Sequence, residues 1–547
     1  MQSTTGKSVL SAIAIGPLRV VRRSETVFSA APGEDSAAEL RRFEAARQRA
    51  IQAQAGLRRK ALGEAGSEMA SLFDIHAMLL NDAGLVDSVR QLIIKDRHNA
   101  EYAVSKVGRQ NAEMLAKIDD PYLSARSMDI EDVTRALLDE LTGEDHDITL
   151  ADEPAILMAD DLSPSETVRM DKTLLLGFIT RGGSAFSHTA ILARSMNLPA
   201  LVQCQQINED WDGHMAILDG HSNTLYIDPS PQMIEIYRVR QAEDAERRAM
   251  LESLRGLPNV TRDGVQIQIT ANIAVPSDLN DALDNDADGV GLFRSEFVYL
   301  NTNDYPTEEE QYQIYTQALL QLTPKKMVVR TCDIVADKVP PYMSLPEEEN
   351  PALGHRGVRM CFANPQLFKT QLRALLRAAC HGKLGIMFPM ICTPEELYRC
   401  KAMLVECRKE LTEEGVPTGN VEIGSMIETP AAVLCAEELA ANCDFFSIGT
   451  NDLLQYTFAL DRQNDAFGDY IDSHHPALLR EIKMTVEAAH RQGIPVSICG
   501  ELGADPALTE WFLRTGVDCL SVSPSAVLRL RQAVRKLDLG TGGTRPV

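Results

Sequence analysis

Residues 445–453, Phe-Phe-Ser-Ile-Gly-Thr-Asn-Asp-Leu, are a short apolar run that stops at a glycine and is followed, after Thr450, by a neutral and an acidic side chain, Asn451 and Asp452. Such a run, bounded by a turn residue, reads as a buried β-strand with a polar pair just past its C-terminal end. The same kind of run recurs at 265–271, 290–293, 327–329, 384–388, 421–426, 495–498 and 519–522, with helical patterns between. About eight β-then-α units over a stretch of this length predict a (β/α)8 TIM barrel. Arg294, Arg330, Glu428, Asn451 with Asp452, and Cys499 each follow the C-terminal end of a different run. That is the end at which barrel enzymes carry their chemistry. One polar residue placed so would mean little; the repetition on separate strands is hard to explain by solubility.

The residue types narrow the chemistry. Glu428 and Asp452 offer hard oxygen ligands from neighbouring strands, and a carboxylate pair completed by water and substrate oxygens is a usual way to hold Mg2+. Two solvated or salt-bridged acids at strand ends are the plainer alternative. Arg294, Arg330 and Arg462 supply planar donor forks matched to phosphate and carboxylate, which suits a small substrate bearing both, although any single Arg is more often a surface ion pair. Asn451 adds a neutral donor. Cys499 is by default a small buried hydrophobe; at a barrel rim it can instead transfer a proton.

Upstream, residues 182–199 read Gly-Gly-Ser-Ala-Phe-Ser-His-Thr-Ala-Ile-Leu-Ala-Arg-Ser-Met-Asn-Leu-Pro. Gly182 and Gly183 permit a tight turn that brings backbone close to an anion, Ser187 is a good N-cap, and Asn197 with Pro199 stops the helix. An imidazole in the first helical turn feels the positive end of the macrodipole, which lowers its pKa and favours a phosphate bound to it. His188 is therefore read as a nucleophile toward phosphorus, against the equally open reading of a polar residue packed behind a glycine turn.

The rest of the chain divides around these two sites. Residues 1–34 and 146–230 are read as one α/β domain, including a capping box at 163–166, and its first strand lies at 12–15 and 18–21 across Gly16-Pro17. Residues 35–145 are rich in Ala, Arg, Glu and Leu, with Phe73, Ala77 and Leu80 at helical spacing, and predict an inserted helical bundle. Residues 231–262 carry a charged linker helix over 231–255, 263–540 the barrel, and 541–547 a short tail expected to be disordered. The net charge of -24, from 54 Lys and Arg against 78 Asp and Glu, argues against nucleic acid or an anionic membrane as partner and suits a basic protein better. No signal peptide and no membrane-spanning run is legible, and the 11 cysteines, without zinc-type pairs, suit free thiols, so a cytoplasmic protein is expected.

Several ordered motifs now converge. The sequence resembles the phosphoenolpyruvate-protein phosphotransferase family, Enzyme I of the bacterial sugar phosphotransferase system, over nearly its whole length. The resemblance is carried by Ala-Phe-Ser-His-Thr-Ala-Ile-Leu-Ala-Arg-Ser at 185–195, Gly-Val-Gly-Leu-Phe-Arg-Ser-Glu-Phe at 289–297 and Arg-Thr-Cys-Asp-Ile at 330–334. It continues in Glu-Glu-Asn-Pro-Ala-Leu-Gly-His-Arg-Gly-Val-Arg at 348–359, Ile-Glu-Thr-Pro-Ala-Ala at 427–432, the stretch at 445–453, and Cys-Gly-Glu-Leu at 499–502. It implies that His188 is phosphorylated, that Glu428 and Asp452 bind Mg2+, and that Arg294, Arg330, Asn451, Asp452 and Arg462 meet phosphoenolpyruvate. Cys499 is then the proton donor. It further implies a hinge motion of the His188 domain, transfer to a histidine of the phosphocarrier protein HPr docked on the helical bundle, and a homodimer through the barrel. By that analogy Phe73, His76, Met78 and Leu79 form a docking patch, against the plainer reading in which some of them are simply bundle core.

The chain departs from the family pattern at Phe186, which replaces a hydroxyl beside the nucleophile, and at Asp333-Ile334-Val335-Ala336-Asp337-Lys338, which lacks two usual glycines. It also lacks the extra C-terminal helix of many relatives. Two rivals stand beside this reading. One is an ATP-linked phosphoenolpyruvate synthase or pyruvate phosphate dikinase, disfavoured because residues 1–150 hold no Gly-rich phosphate loop. The other is a regulatory paralogue that senses phosphoenolpyruvate without efficient turnover, disfavoured by the full set of charged rim residues.

Overall fold

The computed structural model describes the chain outside residues 1, 22–27, 29, 31–34, 65, 118–125, 144–152, 184–189, 191–192, 194–197, 277, 301, 303, 335–338, 341, 344–347, 462–471 and 541–547. His188, Arg462, Phe186, the altered loop at 335–338 and the tail thus lie outside the described residues. The chain divides into two compact units, Met1–Arg248 and Ala249–Val547.

The first unit is built on a sheet of β1 (Gln2–Thr5), β2 (Lys7–Ser8), β3 (Ile13–Val20), β4 (Ala155–Ala159), β5 (Leu175–Thr180), β6 (Ala200–Val202), β7 (Met215–Asp219) and β8 (Thr224–Ile227), in the order β1-β8-β7-β3-β4-β5-β6-β2. The run across Gly16-Pro17 forms one continuous strand. Residues 13–17 of β3 pair antiparallel with β7, whereas 18–20 pair parallel with β4. Pro17, which has no N–H to give, stands where the pairing passes from one neighbour to the other. Between β3 and β4 the chain leaves to form the helices Ser36–Glu64, Gly66–Leu79, Ala83–Ile94, Ala100–Ala116 and Ser127–Thr142. Asp82 and Asn99 cap two of these by accepting from Leu85 and Tyr102 amides, and Gly143 ends the last in a left-handed conformation at φ 72°. The predicted capping box is present, with Ser163 and Glu166 bonding each other's amides.

The docking patch implied by the resemblance is only half exposed. Phe73 and His76 are buried, Phe73 against the sheet-side residues Leu157 and Phe178. His76 lies between two acids, with Nε2 3.2 Å from Asp129 Oδ1 and Nδ1 3.7 Å from Asp132 Oδ2. Met78 is 65% exposed, and Leu79 is half-buried against the bundle core. Phe73 and His76 are thus interior residues, covered by the sheet and the helix Ser127–Thr142.

The second unit is the predicted barrel. Its strands β9 (Gln268–Ile273), β10 (Gly289–Arg294), β11 (Lys326–Arg330), β12 (Lys383–Phe388), β13 (Val421–Ile427), β14 (Phe445–Ile448), β15 (Val496–Ile498) and β16 (Cys519–Val522) pair parallel in sequence order, and β16 closes on β9. The first strand begins later than its apolar pattern suggests. Val260 bridges antiparallel to Gln266, and the Thr261 amide donates to the Val265 carbonyl at 2.9 Å, so residues 260–266 make a small hairpin ahead of β9. A continuous apolar cluster between strands and helices supplies the core, including Ile269, Phe293, Met327, Ile386, Phe446, Ile498 and Leu520.

The helix Pro231–Glu252 precedes the barrel and buries only Tyr237. Its first turns are tied to the sheet of the first unit, where Tyr237 donates to Asp219 Oδ2 at 3.0 Å and Gln241 to the Ile13 carbonyl at 2.9 Å. Among the described residues no helix is long and apolar enough to cross a membrane.

Candidate active site

Parallel strands that close into a barrel deliver their C-terminal residues to one rim. Register fixes two of the predicted arginines together, since Arg294 at the end of β10 pairs with Arg330 at the end of β11. Arg294 is exposed at the rim. Arg330 is drawn inward, with Nη2 3.1 Å from Glu296 Oε1 and Nη1 3.3 Å from Asp333 Oδ2.

Glu428 and Asp452 follow β13 and β14. Glu428 is fully buried; its Oε1 accepts from the Met390 amide at 2.6 Å, while its Oε2 has no hydrogen-bond partner. Gly449 makes room for that oxygen, because a Cβ there would come within 2.8 Å of Glu428 Oε2. Asp452 is buried and accepts from Arg356 Nη1 at 3.0 Å. Arg356 is itself buried and grips Asp333 with both arms of its fork, at 3.2 Å from Nε and 2.8 Å from Nη2. Its Nη1 also donates to Tyr456 OH at 3.2 Å, and that hydroxyl donates to the Ala352 carbonyl.

The electrostatics follow from burial and this arrangement. Burial pushes the Glu428 carboxyl up to about 8, and the charges of Asp452 and Asp333 add to the effect against Arg356 and Arg330. Burial likewise disfavours the Asp333 charge, but Arg330 and Arg356 outweigh it and hold that carboxyl below its usual range. One acid is thus satisfied by the protein and another is left wanting a positive charge. A bare, buried carboxylate oxygen beside a second carboxylate is a donor set that fits a divalent cation taking hard oxygen ligands. Among the described residues no group of three or more His, Cys, Asp or Glu is arranged to hold a metal, so the pair would need water or substrate oxygens to complete a coordination shell.

Asn451 exchanges two hydrogen bonds with Glu501, donating to Oε1 at 3.2 Å and accepting from its amide at 3.1 Å. Cys499, at the end of β15, is buried inside the barrel among Leu292, Met387 and Met426. Burial pushes its thiol up to about 11, against the pull of Arg330 and Arg294. The thiol therefore keeps its proton at neutral pH.

The rim thus gathers the described members of the predicted set, Arg294, Arg330, Glu428, Asn451, Asp452 and Cys499. It adds Glu296, Asp333, Arg356 and Tyr456, which the sequence reading did not assign. Three of these stood inside motifs already singled out, at 289–297, 330–334 and 348–359. The available signal was a charge set in an otherwise apolar stretch, as in Thr331-Cys332-Asp333-Ile334.

With this geometry in hand, comparison with known proteins is specific. The family description "PEP-utilising enzyme, PEP-binding domain" matches residues 248–539, the N-terminal domain of the same enzymes matches 5–126, and their mobile domain matches 151–223. The class is that of the enzymes using phosphoenolpyruvate. The chain is 38% identical over 535 residues to the phosphoenolpyruvate-protein phosphotransferase of Priestia megaterium, covering 97% of this chain and 93% of that one. It is 39% identical to the protein of the same name from Geobacillus stearothermophilus, covering 92% and 88%, and 36% identical to that of Listeria innocua serovar 6a, covering 97% and 94%. The chain belongs to the phosphoenolpyruvate-protein phosphotransferase family.

Proposed function

We propose that this chain takes the phosphoryl group of phosphoenolpyruvate onto His188, releases pyruvate, and passes the group to a histidine of the phosphocarrier protein HPr in the cytoplasm. The observation that carries the proposal is the barrel rim. There the bare Glu428 oxygen, Asp452, two arginines at paired strand ends and a protonated thiol stand together in a chain that matches named phosphotransferases nearly end to end.

Each side chain has a task in this reaction. Arg294 and Arg330, with Arg462, hold the phosphate and carboxylate by planar forks and neutralise the phosphoryl oxygens as the bond to the enol oxygen breaks. Asn451 donates a neutral hydrogen bond to the substrate. Glu428 and Asp452 would hold Mg2+, which supplies further positive charge at the phosphate and enol oxygens. His188 attacks phosphorus in line, and the phosphorus–oxygen bond breaks toward the enolate of pyruvate. Cys499 then gives its proton to the enolate carbon, forming the C–H bond of pyruvate and leaving a thiolate that recovers a proton from solvent. A thiol held near 11 carries its proton when the enolate forms.

One imidazole cannot touch donor and acceptor together, so the His188 domain alternates between barrel and carrier, with residues 231–262 as the linker. The carrier docks on the bundle of residues 35–145, where Met78 and the edge of Leu79 remain available, and two copies associate through the barrel. Labelled phosphoenolpyruvate with Mg2+ is expected to put acid-labile phosphate on the protein and, with purified HPr added, on the carrier. His188→Ala is expected to abolish both. Unchanged labelling of that variant moves the nucleophile elsewhere, and labelling that never reaches HPr removes the partner.

A further inference from the structure

Behind the carboxylate pair, two residues in left-handed backbone conformations stand back to back. Gly357 has φ 56° with ψ -135°, and Met390 has φ 56°. The first combination is reserved for glycine, and the second is uncommon for a long side chain and carries a conformational cost. A Cβ on Gly357 would lie 2.7 Å from Met390 Cβ and 3.3 Å from the Pro389 carbonyl, so the two backbones approach as closely as glycine allows. Met390 is buried.

Each partner in this contact reaches one of the two carboxylates. The Met390 amide donates to Glu428 Oε1, and Arg356, one residue before Gly357, donates to Asp452 Oδ1. Met390 uses only its main chain for this, so the direction of its N–H is set by the strained φ and not by a rotamer. With Oε1 fixed by the amide, the other Glu428 oxygen is the one left bare.

We infer that the Gly357–Met390 contact is a positioning device for the cation site: it aims the Met390 amide at Glu428 and seats Arg356 against Asp452, and so sets the spacing of the two carboxylates. This rests on the reading that Glu428 and Asp452 hold a divalent cation. Partners behind ligands commonly govern affinity in this manner, and their loss weakens metal binding by about 10–100-fold. Strain kept at such a place is consistent with a packed surrounding that over-determines it.

The test is direct Mn2+ binding to the full-length protein, read by electron paramagnetic resonance without substrate. Wild type is expected to bind Mn2+ and Glu428→Gln to lose the site; if wild type binds none, or Glu428→Gln binds equally, the metal reading fails and the device with it. Given that site, Gly357→Ala is expected to weaken Mn2+ by about tenfold or more. The double variant with Met390→Gly removes the atoms that the new alanine strikes but keeps the strain of an alanine at φ 56°, so it is expected to recover part of the loss. A folded Gly357→Ala with wild-type affinity, or a loss undiminished in the double variant, overturns the contact as the cause.

Met390→Gly alone decides the matter if Gly357→Ala does not fold, because it keeps the N–H and accepts positive φ while removing the side chain that pins it. It is expected to weaken Mn2+ binding and to raise the metal concentration for half-maximal labelling by phosphoenolpyruvate by a larger factor than it lowers the maximal labelling, whereas Met390→Leu, which keeps a Cβ in the contact, holds Mn2+ more tightly than Met390→Gly. Equal affinities for Met390→Gly, Met390→Leu and wild type overturn the proposal.

Discussion

Both units bury a cluster of acids, and the two clusters are satisfied to different degrees. In the first unit Asp132 accepts from Ser163 Oγ at 2.9 Å and the Ser165 amide at 3.1 Å, and Asp129 from Arg126 at 2.9 Å, with His76 between them. In the barrel, Asp333 is gripped by two arginines, but Glu428 beside it keeps an oxygen with no partner. Burying a carboxylate is costly unless its oxygens are met. The acids of the first cluster therefore join the bundle to the helix Pro164–Arg169, whereas the second cluster leaves one carboxylate oxygen bare.

Substituting one acid from each cluster separates these roles. Glu428→Gln removes a charge the folded protein does not stabilise, so the metal-free variant is expected to melt no lower than wild type while phosphoryl transfer falls by about 10³-fold or more. Asp132→Ala is expected to do the reverse. It leaves Ser163 Oγ and the Ser165 amide without their acceptor, costs about 2–4 kcal/mol of stability, and leaves transfer per folded molecule unchanged. Calorimetry and labelling of the same preparations decide this, and a Glu428→Gln protein that is both active and less stable would erase the distinction.

Cys499→Ser sharpens the picture within the barrel. The hydroxyl is nearly the same size as the thiol but a much weaker acid, so pyruvate release is expected to slow by about 10²–10⁴-fold while phosphoenolpyruvate affinity stays near wild type. Normal turnover would return Cys499 to the apolar lining it shares with Leu292 and Met426.

What could be read from the chain alone follows from how local each feature is. The barrel was legible because each strand announces itself by an apolar run of its own, and the rim residues because they directly follow those runs. Edges were less so. The start of β9 depends on Val260 meeting Gln266, and the continuity of β3 depends on two different neighbours. The inward charges were hidden for the same reason. Arg356 is buried because Asp333 and Asp452 are there to meet it, 23 and 96 residues away. Taken singly, each reads as a surface charge. His76 was misplaced on a surface because its partners Asp129 and Asp132 come from a helix more than fifty residues later.

A buried acid outside both clusters tests the rule that separates them, with the smallest effect. Asp219 ends β7 and accepts from Ser222 Oγ at 2.8 Å, the His221 amide at 2.9 Å and Tyr237 OH at 3.0 Å. Burial would raise its carboxyl, but these donors outweigh it and hold the group below its ordinary 3.8, the opposite direction to Glu428. Its stabilising contribution is accordingly present above that value and lost as pH falls through the lower, folded value. Asp219→Asn is expected to cost about 1–2 kcal/mol near neutral pH and progressively less below pH 3.8. Tyr237→Phe, which removes one of the donors, is expected to cost about 0.5–1.5 kcal/mol. Hydrogen exchange over residues 231–241 reads both, since this bond ties the start of the helix Pro231–Glu252 to the sheet. A penalty for Asp219→Asn that grew as the solution was acidified would place Asp219 with Glu428 among the unsatisfied acids and break the rule.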